Sequence, residues 1–313
     1  MPVQTTHRLA LATCAHLPGI HPDDAHLASE LTRLGIEPVS CIWSDPTVDW
    51  SSFDAVLIRT TWDYFQRYDE FLDWLDRLPV PTINNKPLLR WNSDKRYLLE
   101  LAQLGINLVP ASIASAEGLP ELLAGMPGQD LVVKPTVSGG AWNTVRGIVG
   151  DPDFERQLSA LPPTHDYLVQ AFVPEIARDG EWSLLFFDGV FSHAVLKRAV
   201  DGEFRVQSQF GGSIEHIEPD AAMLASAQQA LAAVAVLGHP DHAYARVDGV
   251  VVDGRFRLME LEMIEPSLFL GERPEAAERF AGNLRERLRN SYFVGAASTG
   301  YPASAQAGKP PAK

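Results

Sequence analysis

Two β-rich runs meet at Asp253-Gly254, with Tyr244-Ala245-Arg246-Val247-Asp248 leading in and Met259-Glu260-Leu261-Glu262 leading away. Each run alternates hydrophobic and ionisable side chains, and Asp-Gly supplies the positive φ angles of a tight turn, so the pair reads as a hairpin. Such a hairpin brings Arg246 beside Asp248, Glu260 and Glu262 on adjacent strands. Carboxylates repel one another, so a fold keeps three of them close only with positive charge between them. A hard divalent cation, above all Mg2+ carrying bound phosphates, suits that place. The plainer alternative is an exposed hairpin whose outer face is solvated.

The hairpin makes a demand on register. A two-residue turn would pair Val252 with Arg255 and put Asp248 and Glu260 on opposite faces. A three-residue loop, with Gly254 as a left-handed bulge, pairs Val251 with Arg255 and Arg246 with Glu260. Arg246, Asp248, Glu260 and Glu262 then share one face, because side chains alternate with period two. The three-residue loop is the expectation.

At 313 residues the chain has room for two domains, or one divided into lobes. A net charge of −14 argues against a general phosphate-backbone binder, so nucleic acid is not an expected partner. The two cysteines, Cys14 and Cys41, lie in or beside apolar runs and read as buried, inert thiols. The N-terminal apolar run is too short for a secretory signal and no run of about 18 apolar residues occurs, so no membrane partner and a cytoplasmic location are expected.

Strand and helix alternate over the first 85 residues: strands at Leu9–Cys14, Val39–Trp43 and Ala55–Arg59, and a helix at Asp23–Leu34 closed by Gly35. That alternation predicts a parallel α/β domain. No GxGxxG follows the first strand, which gives a dinucleotide fold little support. Arg59, Trp62 and Asp63 follow the third strand, where open α/β sheets bind ligands, and are candidate substrate contacts. A helix cap with a hydrophobic anchor explains them equally well. Pro79–Pro87 reads as a connection, followed by a helix over Ser93–Leu104 capped by Asn92 or Ser93. Further strands are expected at Val109-Pro110, Leu131–Pro135 and Tyr167–Gln170, a second Asp-Gly hairpin at Glu181–Phe187 and Val190–Lys197, and helices at Ala221–Leu237 and Pro274–Arg289. The Ala/Pro/Gly/Ser-rich tail from 296 to 313 reads as disordered.

Lys134 ends an apolar strand, where a lysine is costly unless an anion meets it. Ser138-Gly139-Gly140 follows, and glycine lets backbone N–H groups close around phosphate oxygens. No Gly-Lys-Ser/Thr is present, so the loop is not a Walker A element. Lysine, Gly-rich loop and carboxylate hairpin together describe a triphosphate with metal.

The order Asn92-Ser93-Asp94-Lys95, Lys134-Pro135, Ser138-Gly139-Gly140, Gln170-Ala171-Phe172-Val173, Arg246-Val247-Asp248 and Glu260-Leu261-Glu262 resembles the ATP-grasp superfamily over residues 86–270. Within it the chain is most similar to glutathione-synthetase-like carboxylate–amine ligases. Gly180-Glu181-Trp182-Ser183 and Ser192-His193-Ala194-Val195-Leu196-Lys197 also resemble the group that contains the cycloserine-forming cyclo-ligase. The resemblance implies an α/β domain over 1–85, then a two-lobed domain with antiparallel sheets: a small lobe with a Gly-rich lid over 86–169, and a metal-bearing lobe over 170–295. It assigns Lys95, Lys134 and the lid residues Ser138, Gly139 and Gly140 to ATP phosphates. Adenine would lie at the hinge of Gln170, Ala171, Phe172 and Val173, with Glu175 or Glu181 at the ribose. Lys197 would offset charge on the transferring phosphoryl group, Arg246 the tetrahedral oxyanion, and Asp248, Glu260 and Glu262 would hold Mg2+, expected as a pair of ions that Mn2+ can replace. Arg205, with Gly211 and Gly212, resembles the elements facing the acceptor. Phe204 and Gln207 belong to the same segment.

Two departures stand out. Glu262 occupies a metal position that is usually asparagine, which calls for a nearby cation, with Arg205 the candidate. Gln170 replaces a common glutamate at the hinge. His193 reads as a satisfied core histidine, and Trp142 beside the lid is the tryptophan most suited to a site. Glu265 pairs with a base or is solvated. The implied reaction is ATP- and Mg-dependent joining of a small amino-acid or peptide-like carboxylate to an amine through an acyl-phosphate, with ADP and phosphate released. A phosphotransferase on the same fold and a nucleotide-binding regulator without turnover are the alternatives. A homodimer is a state the resemblance allows.

Overall fold

The computed structural model describes residues 6–200, 203, 205–206, 210–271 and 273–290. The expected disordered tail, Phe204 and Gln207 lie outside these residues. Strands and helices alternate first: β1 (His7–Thr13), α1 (Ala25–Arg33), β2 (Ile36–Ile42), β3 (Ala55–Thr60), α2 (Tyr68–Arg77) and β4 (Thr82–Ile83). All pairs are parallel, in the order β2-β1-β3-β4. β3 is buried along its whole length, as a strand covered on both faces requires.

Next come α3 (Lys86–Asn92), α4 (Tyr97–Gln103), β5 (Ala111–Ser115), α5 (Leu119–Ala124), β6 (Asp130–Pro135), β7 (Val145–Ile148), α6 (Pro152–Ser159) and β8 (Asp166–Ala171). Their sheet is antiparallel, β5-β8-β6-β7. The last part holds α7 (Glu175–Asp179), β9 (Glu181–Phe187), β10 (Val190–Arg198), β11 (Ser213–His216), α8 (Ala221–Val236), β12 (Tyr244–Val252), β13 (Arg255–Glu262) and α9 (Pro274–Arg289), with an antiparallel sheet β11-β10-β9-β12-β13. The mixed α/β expectation, one parallel and two antiparallel sheets, is met. No helix among the described residues is long and apolar enough to cross a membrane.

One core runs from Leu9 and Leu57 in the parallel sheet through Phe187 and Tyr244 to Phe280 on α9. Another joins Leu98 and Leu101 on α4 to α8 and the five-stranded sheet. The β5–β8 sheet keeps its own cluster around Val133, Phe154 and Tyr167. Two sheets are thus welded together and the third stands across a cleft.

Three local expectations are corrected. The helix placed at Ser93–Leu104 begins only at Tyr97, and α3 fills the stretch before it. Asn92 caps nothing: buried, it donates to Leu261 O (2.8 Å) and accepts from Met263 N (2.7 Å), which fixes the end of β13. Val109 is no strand residue; its N–H donates to Leu258 O, and β5 starts at Ala111.

The hairpin register is the largest correction. Asp253 and Gly254 both take positive φ (51° and 73°) in a two-residue turn that pairs Val252 with Arg255. The extra residue sits inside the ladder: Gly249 pairs with Leu258, then Asp248 with Glu260, leaving Met259 unpaired. This bulge restores the parity that the acids need. Arg246 consequently faces Glu262 and Asp248 faces Glu260.

Candidate active site

The cleft between the sheets measures about 790 Å³, within the range of small-molecule sites. Its floor is the hairpin face. Arg246 binds Asp248 through Nε–Oδ1 (3.0 Å) and Nη2–Oδ2 (2.8 Å), and Glu262 through Nη2–Oε1 (2.5 Å). Lys197, from β10, reaches Glu181 Oε1 at 2.6 Å and Asp248 Oδ2 at 3.6 Å. Ser183 donates to Asp248 Oδ1 at 2.6 Å. Across the cleft, Lys95 and Lys134 hold the two oxygens of Glu260 at 3.1 and 3.3 Å. Four cations and four carboxylates therefore interleave.

The titration behaviour follows from this lattice. Burial alone would push Lys197 down, but Asp248 and Glu181 hold it above its ordinary value. Burial likewise opposes the charge on Arg246, and Asp248 with Glu262 overcomes it, raising its pKa. Glu260 is half-buried, and Lys134 and Lys95 keep it below the usual carboxylate range against the effect of burial. Asp248 is also held low, by Arg246 and Lys197 against burial. Glu262 goes the other way, because burial with Asp248 and Glu260 nearby outweighs Arg246. Glu265, on the segment after β13, is pushed up to about 8 by burial and by Glu262.

Lys95 is not a solvated helix residue. It lies in the turn between α3 and α4, is buried, and its ammonium donates to Ser138 O at 2.6 Å. That bond ties the Gly-rich loop to the cleft floor. Within the loop Gly140, Ala141 and Asn143 all take positive φ. A Cβ at Gly139 would meet the Phe65 ring at 2.9 Å, so glycine there permits close approach of the loop to the N-terminal domain. Trp142 packs on Phe65 and on His165 and lines the cleft.

Gln170, Ala171, Phe172 and Val173 line the far end with Val109, Val132 and Met259, an apolar slot. The Gln170 amide nitrogen is buried there and has no hydrogen-bond partner among the described residues. Trp62 and Arg205 also reach the cleft.

Other predicted residues do not. Arg59 is 3% exposed, forked onto Asp24 and bonded to Pro266 O, because a buried guanidinium needs all its donors met. Asp63 accepts from Trp43 Nε1 at 2.7 Å in the N-terminal core. Glu175 opens α7 outside the cleft lining, beside Arg178. Gly211 and Gly212 lie off the cleft; a Cβ on Gly212 would sit 2.1 Å from Val206 O, so close backbone packing explains it. The cation expected from Arg205 at Glu262 is Arg246 instead, while Arg205 pairs with Glu203. His193 is a core histidine: Nε2 bonds Leu268 O at 2.9 Å, and burial pushes its pKa down to about 4. Cys14 and Cys41 are buried free thiols. Gly249 was passed over in the sequence, although a glycine inside a strand signals a bulge. A Cβ there would lie 2.5 Å from Arg257 O.

Residues 9–84 match the family model of the D-cycloserine synthetase DcsG N-terminal domain. The cycloserine biosynthesis protein DcsG of Streptomyces lavendulae is 35% identical over 296 residues, 90% of this chain and 99% of that protein. The chain belongs to the D-cycloserine synthetase family. The crystal structure of D-cycloserine synthetase DcsG superposes with a TM-score of 0.78, covering 90% of this chain and 99% of that one. The ATP-grasp ligase PsnB, solved with Mg, ADP and a phosphomimetic variant of its minimal precursor, shares the fold at 15% identity (TM-score 0.60; 92% and 100% covered). As a member of the D-cycloserine synthetase family, the protein is an ATP-dependent, ADP-forming carboxylate–amine ligase, which sets aside the phosphotransferase and regulator alternatives.

Proposed function

We propose that the protein closes an amino-acid carboxylate onto a nitrogen of the same small molecule, a cyclising ligation of the cycloserine-forming kind. The observation that carries this reading is the placement of Lys197 on β10 and Arg246 on β12, on either side of β9, both within reach of Asp248 and both open to one cleft. Phosphoryl transfer needs a cation at the phosphoryl oxygens, and amide formation needs one at the acyl oxygen; this floor offers both. In the proposed sequence the substrate carboxylate attacks the γ-phosphate of ATP while Lys134 and Lys197 offset the phosphoryl charge. ADP departs. The nitrogen then attacks the acyl carbon, Arg246 offsets the tetrahedral oxyanion, and phosphate leaves with the nitrogen's proton. Ser138, Gly139 and Gly140 would exclude water from the acyl-phosphate.

The apolar slot at Gln170–Val173 suits adenine, since the unpartnered Gln170 amide offers a donor to a ring nitrogen. Glu181, held by Lys197, is our candidate at the ribose. The donor set fits Mg2+: Asp248, Glu260 and Glu262 present hard oxygens on one face of two neighbouring strands, and Glu262 remains short of positive charge. Among the described residues no three acids converge on one point, so phosphate oxygens would complete the shell. A bound pair of Mg2+ ions, or Mn2+ in their place, would supply further charge neutralisation at the phosphates. Trp62 and Arg205 are the remaining substrate candidates. A cytoplasmic enzyme acting on small molecules, as a monomer or homodimer, is the setting this reading implies.

ADP release is the test, measured with Mg-ATP and a panel of amino acids bearing a side-chain nitrogen. ADP should form only with the true substrate, together with a cyclic amide. Glu260→Ala should abolish it, and Arg246→Ala should slow it roughly a hundredfold or more, the loss of about 3 kcal/mol of oxyanion stabilisation. A phosphorylated product without amide would sink the reading.

A further inference from the structure

Five carboxylates line the cleft, and four have a protein cation: Glu181 with Lys197, Asp248 and Glu262 with Arg246, and Glu260 with Lys95 and Lys134. Among the described residues, Glu265 has none within salt-bridge reach. Glu265 is half-buried, and a carboxylate partly withdrawn from water without a counter-charge is costly, so a chain free to relax would release it. Here the backbone that carries it cannot relax. The carbonyls of Met263, Ile264, Glu265, Pro266, Ser267 and Leu268 accept, in order, from Asn84, Tyr244, Trp62, Arg59, Arg246 and His193. Six successive anchors, each from another part of the fold, hold the segment in place. Such support is what a binding group needs if its position is to be kept before the ligand arrives.

The surroundings of Glu265 define the ligand. The Trp62 indole bonds the Glu265 backbone, and the Phe65 ring stands against the Gly-rich loop on the same side. A Cβ on Gly139 would lie 3.9 Å from Glu265 Oε1, so the loop borders the carboxylate directly. A compact cationic group is the chemistry that such a carboxylate, bordered by glycine backbone, would take. Arg246 binds Ser267 O, two residues further along, so the cation would sit beside the site of acyl chemistry.

We propose that Glu265 anchors the α-ammonium group of an amino-acid substrate whose carboxylate faces Arg246 and Lys197. The assignment rests on the cyclising-ligase reading and adds to it a requirement for a zwitterion. A desamino analogue would leave Glu265 unpaired, whereas the ammonium completes the charge pairing of the cleft.

The test is calorimetric titration of the full chain, loaded with Mg-ADP, with D-cycloserine and with isoxazolidin-3-one, the same ring lacking the amino group. Wild type should bind D-cycloserine at least tenfold more tightly. Glu265→Gln, of equal size, should weaken D-cycloserine roughly tenfold to a hundredfold, leave isoxazolidin-3-one unchanged and so erase the difference. Unchanged affinity for Mg-ADP shows that the variant is folded. A variant that keeps the wild-type preference overturns the anchor while leaving the ligase reading intact. Wild type that binds neither ring overturns the cycloserine-type reading, and the anchor with it.

Discussion

Two hairpins in the five-stranded sheet use the same turn and arrive at different chemistry. Asp188-Gly189 (φ 50° and 74°) joins β9 to β10, and Asp253-Gly254 (φ 51° and 73°) joins β12 to β13. Each ladder then skips one residue of its second strand: Ser192 in the first and Met259 in the other. The skip decides which side chains face the cleft, because a one-residue shift inverts every later position. In the first hairpin it delivers Lys197 opposite Glu181. In the second it delivers Glu260 opposite Asp248 and Glu262 opposite Arg246. The difference lies in how the bulge is accommodated. Only the second has a glycine across from it, Gly249, where a Cβ would strike Phe256 and Arg257 O. Equivalent turns thus coexist with unequal tolerance of change.

The largest effect should come from Gly249→Ala. Its Cβ would lie 2.5 Å from a backbone oxygen, and relieving that overlap should cost about 3 kcal/mol or more and shift the acids out of register. Ser192→Ala in the other hairpin should be close to neutral. Denaturant midpoints and ADP release for both variants check this; equal effects would break the contrast.

His193 follows the first bulge and gives that hairpin a pH dependence. It is buried in its neutral form, with its pKa down at about 4 against an ordinary 6.5. As the pH falls from about 6.5 toward about 4, the unfolded chain takes up a proton that the folded chain refuses, so stability is lost across that window, by up to about 3 kcal/mol. In His193→Gln that component of the slope should vanish. An unchanged difference between urea midpoints at neutral and acid pH would refute it.

The smallest effects should be the most alike. Gly189→Ala and Gly254→Ala each place a Cβ on a residue of positive φ, with open space at Gly254 and only an ordinary contact with His242 Nε2 (3.9 Å) at Gly189, so each should cost about 1 kcal/mol by thermal melting. A difference between them would show that the turns are not equivalent.

Much of the site was legible because its signals are local. Asp-Gly turns, period-two alternation around Arg246 and Asp248, and Lys134 at the end of an apolar strand need no distant information. Arg59 and Asp63 misled because a polar residue after a parallel strand looks the same whether it meets a ligand or a buried partner. Here the partners are Asp24 and Trp43, remote from the cleft. Gly211 and Gly212 lie off the cleft lining, where Gly211 sits beside Val200 and Gly212 close to Val206 O, and a glycine pair looks the same in sequence whether it faces a ligand or packed backbone. The cation beside Glu262 was sought in Arg205, whereas the register put Arg246 opposite it.

By itself the sequence determined the α/β class, both hairpins, and the set of acids and lysines from which a ligase site can be built, since each depends on composition and spacing within a few residues. The tertiary structure alone decided which cation meets which acid, where each bulge falls, and that six carbonyls from Met263 to Leu268 are held by donors from elsewhere in the fold. Those pairings join groups up to 207 positions apart in the chain, as Arg59 and Pro266 are. Only packing brings such groups together, and only packing leaves Glu265 without a cation of its own among the described residues.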